Sequence, residues 1–303
     1  MSMRSVGIAA RYVVNCSRFC LFTRECVYKN LPQKKLTKVK VFGERNTGTN
    51  FLNQLLARNT DFNVLGHGNN DMPRQKLREI KQSAVRLGCA DKLSPQVNRL
   101  VLNRLIDEQR KIEYLDNFGW KHSRVLVDDL EKSPHKNSTL FIFLVRNPWR
   151  FVSALYRRPY NLFPSPRPGS DLSSFVESPV LANERDNMPS LIVNNPVDLW
   201  NKKVKSYFDC CEVLDNAIIC YYENIVTAVD EFMAAISPVC SVSKEIQIPI
   251  DSTKNDNKTF DQYRQEVLRY DPMKILGDDV YSKILERIDP NVLCRTIYAA
   301  SNG

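Results

Sequence analysis

Four short stretches of the 303-residue chain gather groups able to handle an anion or a proton. Glu44-Arg45-Asn46-Thr47-Gly48-Thr49-Asn50 packs one glycine, two threonines and two asparagines into a turn. Its backbone N–H groups and small hydroxyls suit an anion held at a helix N-terminus, where orphan donors and the positive end of the helix dipole coincide. Gly43 and Gly48 keep the spacing of the nucleotide-binding G-x-x-x-x-G-K-[ST] loop, but Thr49 and Asn50 stand where that loop has Lys and Ser/Thr. The Lys for the β- and γ-phosphates and the hydroxyl for Mg²⁺ are both missing, which argues against an ordinary ATPase or GTPase. Lys121-His122 is the second stretch. Like charge from the lysine favours the neutral, base-competent imidazole, as a general base requires. In the third, Arg146 follows a long apolar run, and a guanidinium there suits a phosphate or carboxylate. Arg150, Ser153 and Arg157 share one helical face beyond it by their i, i+3, i+7 spacing. The fourth is Cys220-Tyr221-Tyr222-Glu223-Asn224-Ile225-Val226.

The elements that must carry these groups are legible in the pattern of apolar residues. Val39, Val41 and Phe42 predict a strand ending at Gly43, and Phe51, Leu52, Leu55 and Leu56 predict the helix after the turn. Leu140 to Val145 is a continuous apolar run, as in a strand of a parallel sheet buried on both faces. Asn147 is a good N-cap and Pro148 fits the first helical position, so a second strand-to-helix turn presents Arg146 where open α/β sheets bind ligands. Ala217 to Tyr222 predicts a buried strand, Phe62 to Gly68 a second short strand and turn, and Phe118 to Ser123 the end of another. Residues 73–87 and 95–115 predict helices with solvated faces, Trp200, Val204 and Tyr207 a packed helix, and Val267, Leu268, Val280, Ile284 and Ile288 further helices closing the domain. Residues 159–200, with Pro159, Pro164, Pro166, Pro168, Pro179, Pro189 and Pro196, predict a loop-rich rim above the sheet, where an acceptor would bind.

Composition frames the functional classes. With 43 Lys and Arg against 34 Asp and Glu, the net charge is +9, which suits an anionic ligand. The basic residues are interspersed with acidic ones rather than gathered with aromatics, so nucleic acid is not an expected partner. Nine cysteines, at 16, 20, 26, 89, 210, 211, 220, 240 and 294, include no C-x-x-C pair, and only His67, His122 and His135 add imidazoles, so no zinc site is predicted. Scattered thiols fit a reducing, cytoplasmic compartment. No apolar run approaches the ~20 residues needed to cross a bilayer. Residues 1–35 form a basic extension: Arg4, Arg11, Arg18 and Arg24 precede the first acid, Glu25, among apolar residues. That pattern fits either an organelle transit peptide or a helix packed on the domain formed by residues 36–303.

The anion turn, the Lys-His pair about twenty-five residues before Arg146-Asn147-Pro148, the Ser and basic helix that follow, and the Tyr-Glu segment resemble, in this order, the sulfotransferase family. The resemblance spans residues 38 to about 226. It implies a three-layer P-loop-kinase-like α/β fold, with a central parallel sheet flanked by helices, and sulfuryl transfer from 3′-phosphoadenosine 5′-phosphosulfate (PAPS) to an acceptor hydroxyl or amine without a metal. By resemblance, Thr47, Gly48, Thr49 and Asn50 surround the donor's 5′-phosphosulfate, Arg146 holds its 3′-phosphate with Ser153 assisting, and Tyr222 lies on the adenine side. Lys121 and His122 match the family's Lys and catalytic base. Asn46 occupies the position where many members have a lysine, which leaves Arg45 as the cation for the bridging oxygen and Glu44 as the alternative base. Ala154 occupies the usual position of the phosphate-binding serine. The Gly-rich C-terminal donor loop of cytosolic members is absent, and Lys254 and Lys258 are the basic residues in the corresponding region. The acceptor class is open among glycan, lipid, peptide and small metabolite. A non-catalytic PAPS-binding protein and a small-molecule kinase on the same fold are the competing expectations.

Overall fold

A computed structural model describes residues 31–66, 72–86, 101, 104–105, 117–159, 171–249 and 258–298. In chain order it contains β1 (Lys38–Gly43), α1 (Thr49–Asn59), β2 (Asn63–Leu65), α2 (Met72–Arg86), α3 (Val127–Glu131), β3 (Thr139–Val145), α4 (Pro148–Arg157), α5 (Leu172–Glu177), β4 (Val180–Leu181) and β5 (Ile192–Val193). There follow α6 (Pro196–Val213), β6 (Ala217–Tyr221), α7 (Tyr222–Thr227), α8 (Val229–Ile236), α9 (Phe260–Leu268), α10 (Pro272–Leu276), α11 (Asp278–Arg287) and α12 (Pro290–Tyr298).

Four strands form a parallel sheet in the order β2-β1-β3-β6. All seven residues of β3 are buried, because side chains alternate between two faces that are both covered. Phe42, Phe141, Phe143, Ile219 and Tyr221 belong to one apolar core, shared with Trp149, Phe151 and Leu155 of α4 and Trp200 and Tyr207 of α6. Val39, Val41, Leu140, Ile142, Leu144, Ile218 and Cys220 belong to the other, with Leu52, Leu55 and Leu56 of α1 and Phe232 and Ile236 of α8. The result is a three-layer α/β fold, helices on both faces of a parallel sheet, as the strand–helix alternation predicts. The chain leaves β1 for β2 on one side and returns to β3 on the other. The C-terminal ends of β1 and β3 therefore flank the crevice where strand order reverses, the usual ligand position in open α/β sheets.

Three local expectations are corrected. Residues 118–123 form turns, not the end of a strand. Phe118 and Gly119 both have positive φ, 58° and 79°, which breaks an extended run. Lys40, buried in β1, donates from Nζ to the Gly119 carbonyl at 2.6 Å and so fastens this turn to the sheet. Residues 171–200 carry more regular structure than the loop-rich rim predicted over 159–200, with irregular chain between the elements. They hold α5, the antiparallel β4–β5 pair, a 3₁₀ turn at Glu184–Asp186 and the start of α6, which Pro196 opens behind the Asn195 cap. Pro196 starts a helix and Pro179 separates α5 from β4, whereas Pro189 lies in a bend between elements. Tyr222 opens α7 instead of ending β6.

The helices predicted near Trp200 and over 267–288 are present as α6, α9 and α11, and that over 73–87 as α2. Residues 1–30, the rim at 160–170, most of 95–115, and Lys254 lie outside the described residues. No described helix is long and apolar enough to cross a membrane.

Candidate anion and proton-transfer site

The turn after β1 is built around two glycines with different duties. At Gly43 a Cβ would lie 2.7 Å from the Leu144 carbonyl and 2.8 Å from Thr47 Oγ1, so any side chain would push β1 from β3. Gly48 has φ 91°, and a Cβ there would enter the Tyr222 ring. The Thr47 hydroxyl donates to the Glu44 carbonyl at 2.6 Å, and its N–H to the same oxygen at 3.2 Å, closing the turn. No side chain caps α1 at Gly48, and its first turn contains no acid. The orphan N–H groups at Thr49 and Asn50 therefore start an 11-residue helix with its positive dipole end unopposed by a capping carboxylate.

Arg146 and Asn46 hold the turns after β3 and β1 together. The Arg146 guanidinium donates through Nη1 to the Asn46 carbonyl, and Asn46 Nδ2 donates to the Arg158 carbonyl at 3.1 Å. Asn46 sits at φ 63°, a left-handed conformation that Asn tolerates better than Lys. The Arg146 guanidinium lies 5.0 Å from the Tyr222 ring centroid, and its Nε is 4.0 Å from Glu223 Oε1. That Nε is buried without a hydrogen-bond partner. The Asn147 backbone N–H faces both Glu223 carboxylate oxygens at 3.3 Å. Burial pushes the Glu223 pKa up, opposed by Arg146 and Arg150. Asn147 caps α4 through its side chain, accepting from the N–H groups of Trp149 and Arg150. Ser153 is on α4, and its hydroxyl donates to the Trp149 carbonyl at 2.9 Å.

His122 lies against the end of β1. Its Nδ1 is 2.5 Å from the Gly43 carbonyl oxygen. A carbonyl only accepts, so Nδ1 carries the proton and Nε2 keeps its lone pair. The Gly43 N–H in turn donates to the Lys121 carbonyl at 2.8 Å. Burial first, then the cations of Lys121 and Arg45, push the His122 pKa well below its ordinary value. Lys121 reaches from this turn to the Asn50 side chain, in the first turn of α1. Thr47, Gly48, Thr49, Asn50, Lys121 and His122 thus share the C-terminal end of β1, with Arg146 one strand away after β3 and Tyr222 two strands away after β6.

Arg45 is placed differently from a cation facing the crevice. It is 2% exposed, and its terminal nitrogens bind Asp186 through two 2.8 Å contacts and Glu44 through one. Burial alone would lower its pKa, but Asp186 and Glu44 outweigh that and raise it. Lys203, buried in α6, pairs with Glu44 and with Asp186 Oδ1 at 2.5 Å and donates to the His122 carbonyl at 2.6 Å. Glu44, Arg45, Asp186 and Lys203 form a buried, charge-balanced quartet directly behind the histidine. Burial would raise the Asp186 pKa, but Arg45 and Lys203 overcome it and hold the carboxyl far below the carboxylate range. Trp120 lies across this group, its ring 4.6 Å from the Arg45 and 4.3 Å from the Arg185 guanidinium, and edge-on to His122 at 5.0 Å.

Asp186 and Lys203 were not legible as site residues, since Asp186 lies within the proline-rich stretch 159–200 and Lys203 sits in an ordinary amphipathic helix. The one available signal was a lysine at a core-facing helical position, between Trp200, Val204 and Tyr207. Lys258, half-exposed, pairs with Glu266.

No family model matches the chain, and no curated protein matches it. Among solved structures, the sulfotransferase domain of an olefin synthase from Synechococcus PCC 7002 aligns with 86% of this chain and 97% of its own, at 12% identity and a TM-score of 0.35. A likeness of that degree carries no argument about activity.

Proposed function

We propose that the protein is a sulfotransferase that moves a sulfuryl group from PAPS to an acceptor hydroxyl or amine. The observation that carries this reading is the His122–Gly43 contact: a histidine held neutral, with Nε2 available as a base, is bonded to the strand residue that opens the anion turn. The residues around it fit the donor. Gly48, Thr49 and Asn50 offer uncapped amides, and Thr49 a hydroxyl, to a phosphosulfate on a turn that Thr47 closes, and the buried, unpartnered Nε of Arg146 fits the further phosphate. Tyr222, stacked on Arg146 and Gly48, provides an aromatic wall for the adenosine.

In the reaction the acceptor oxygen or nitrogen forms a bond to sulfur as the bond from sulfur to the bridging phosphate oxygen breaks in line. His122 Nε2 takes the acceptor proton. Negative charge develops on the departing phosphate, where Lys121 and the loop amides stabilise it. The products are the sulfated acceptor and 3′-phosphoadenosine 5′-phosphate. Most of the acceleration comes from positioning and electrostatics, as in phosphoryl transfer. Arg45 serves this chemistry from behind, through the quartet that holds His122 and Glu44, and the pairing of Glu44 with Lys203 favours His122 over Glu44 as the base.

A second reading is a non-catalytic binder of PAPS or its product. It is favoured by Arg45 being bound to Asp186 and Glu44 where Asn46 replaces the family's lysine. Isothermal titration with 3′-phosphoadenosine 5′-phosphate, wild type beside Arg146→Ala, tests the donor site, with ATP and Mg²⁺ as control. Micromolar binding abolished by Arg146→Ala supports it, and preference for ATP with Mg²⁺ refutes it. Transfer from labelled PAPS across an acceptor panel, lost in His122→Ala while donor binding is kept, separates enzyme from binder.

A further inference from the structure

The buried charge beside Arg146 has a second, unused cation. Arg150 is one turn further along α4, 8% exposed, with its guanidinium 4.1 Å from the Tyr270 ring centroid and Nη2 on the Glu266 carbonyl. Its Nε, like that of Arg146, is buried without a hydrogen-bond partner. Arg146 and Arg150 both interact with the single buried carboxylate of Glu223, while the neighbouring Glu266 side chain pairs with Lys258. Two guanidiniums against one carboxylate leave a buried positive charge, which is costly until an anion balances it.

The hydroxyl expected to share the work of Arg146 is engaged elsewhere. Ala154 has none. Ser153 has a single O–H donor, already given to the Trp149 carbonyl at 2.9 Å, and a phosphate dianion needs donors rather than lone pairs. Building on the proposed use of PAPS, we infer that Arg150 supplies the second contact to the 3′-phosphate and so sets the preference for a 3′-phosphorylated nucleotide. Arg150 joins this cluster to the C-terminal segment through Glu266 and Tyr270, and Phe51 of α1 stacks on Phe260 of α9 at 5.7 Å. The segment carrying α9 therefore packs against both the first turn of α1 and the second arginine, in a chain without a glycine-rich donor loop.

The test is calorimetric titration of the full chain with 3′-phosphoadenosine 5′-phosphate and with adenosine 5′-phosphate, for wild type, Arg150→Gln, Arg150→Lys and Ser153→Ala. Wild type is expected to prefer the bisphosphate. Arg150→Gln should narrow that preference by about ten- to a hundredfold, the worth of a charge-assisted contact, with the monophosphate affinity kept. Arg150→Lys should narrow it less, since an ammonium keeps the charge but not the planar fork. Ser153→Ala should keep the full preference. Full preference in Arg150→Gln, or its loss in Ser153→Ala, overturns the inference while leaving the donor reading intact. If Arg150→Gln loses both ligands through misfolding, Arg150→Lys decides, and an undiminished preference there is equally fatal. A wild type with no preference overturns the sulfotransferase reading and this inference together.

Discussion

The Nδ1 of His122 lies 2.5 Å from the carbonyl oxygen of Gly43, the last residue of β1. This one bond sets the tautomer of the histidine and places it beside the turn that follows the strand. It also joins the histidine to the turn that leads into the uncapped N-terminus of α1.

The imidazole should therefore resist protonation. Nitrogen-15 NMR of the folded protein is expected to show His122 protonated at Nδ1 and not at Nε2, with no titration near the ordinary histidine value of about 6.5. The folded pKa is depressed, so below about pH 6.5 the unfolded chain binds a proton that the folded chain does not. The contribution of His122 to stability is thus complete above the unfolded pKa and is lost as pH falls toward the folded one. An ordinary titration near pH 6.5 would contradict the geometry.

The quartet behind the histidine should behave as a unit. Asp186→Asn removes one of two carboxylates facing Arg45 and Lys203 and is expected to cost about 3–5 kcal/mol in urea denaturation, as for a broken buried ion pair. Asp186→Asn combined with Lys203→Met removes one charge of each sign and should cost clearly less than the sum of the single changes. Strict additivity would show that the four charges are not coupled.

Gly48 meets two constraints that can be separated. Gly48→Ala is expected to destabilise by about 1–2 kcal/mol from the left-handed backbone alone, with a further cost from collision with Tyr222. In a Tyr222→Ala background the collision disappears and only the backbone cost should remain. The comparison requires thermal or urea melts of the four combinations, and an equal cost in both backgrounds would show that the ring does not constrain the turn.

Much of the architecture was written locally. The apolar run Leu140–Val145 reads as a strand covered on both faces and Asn147-Pro148 as a helix start, because burial and capping act over a few neighbouring residues. The same holds for the anion turn, whose glycines and missing P-loop lysine are visible as letters. The turn at 118–123 is not legible locally, because Phe118 has no intrinsic preference for its positive φ and packs edge-on against Phe141, at 4.8 Å, from a distant strand.

Burial and charge pairing were decided by tertiary structure. Nothing near Arg45 in the chain announces that Asp186, 141 residues away, will claim its guanidinium. Arg45 is next to a glycine-rich turn, and on sequence alone it is a cation for the ligand. In the fold, desolvation makes an unpaired buried guanidinium untenable, so it takes the carboxylates that α6 and the 3₁₀ turn bring to it. The role inferred for Arg150 in place of Ser153 has the same origin. A hydroxyl on a helix spends its proton on the carbonyl one turn back, while a long guanidinium reaches past the helix to whatever the C-terminal segment places over it. Residue type and local spacing fixed which groups are present at the end of the sheet, and only long-range packing determined which of them are already satisfied and which still face the crevice.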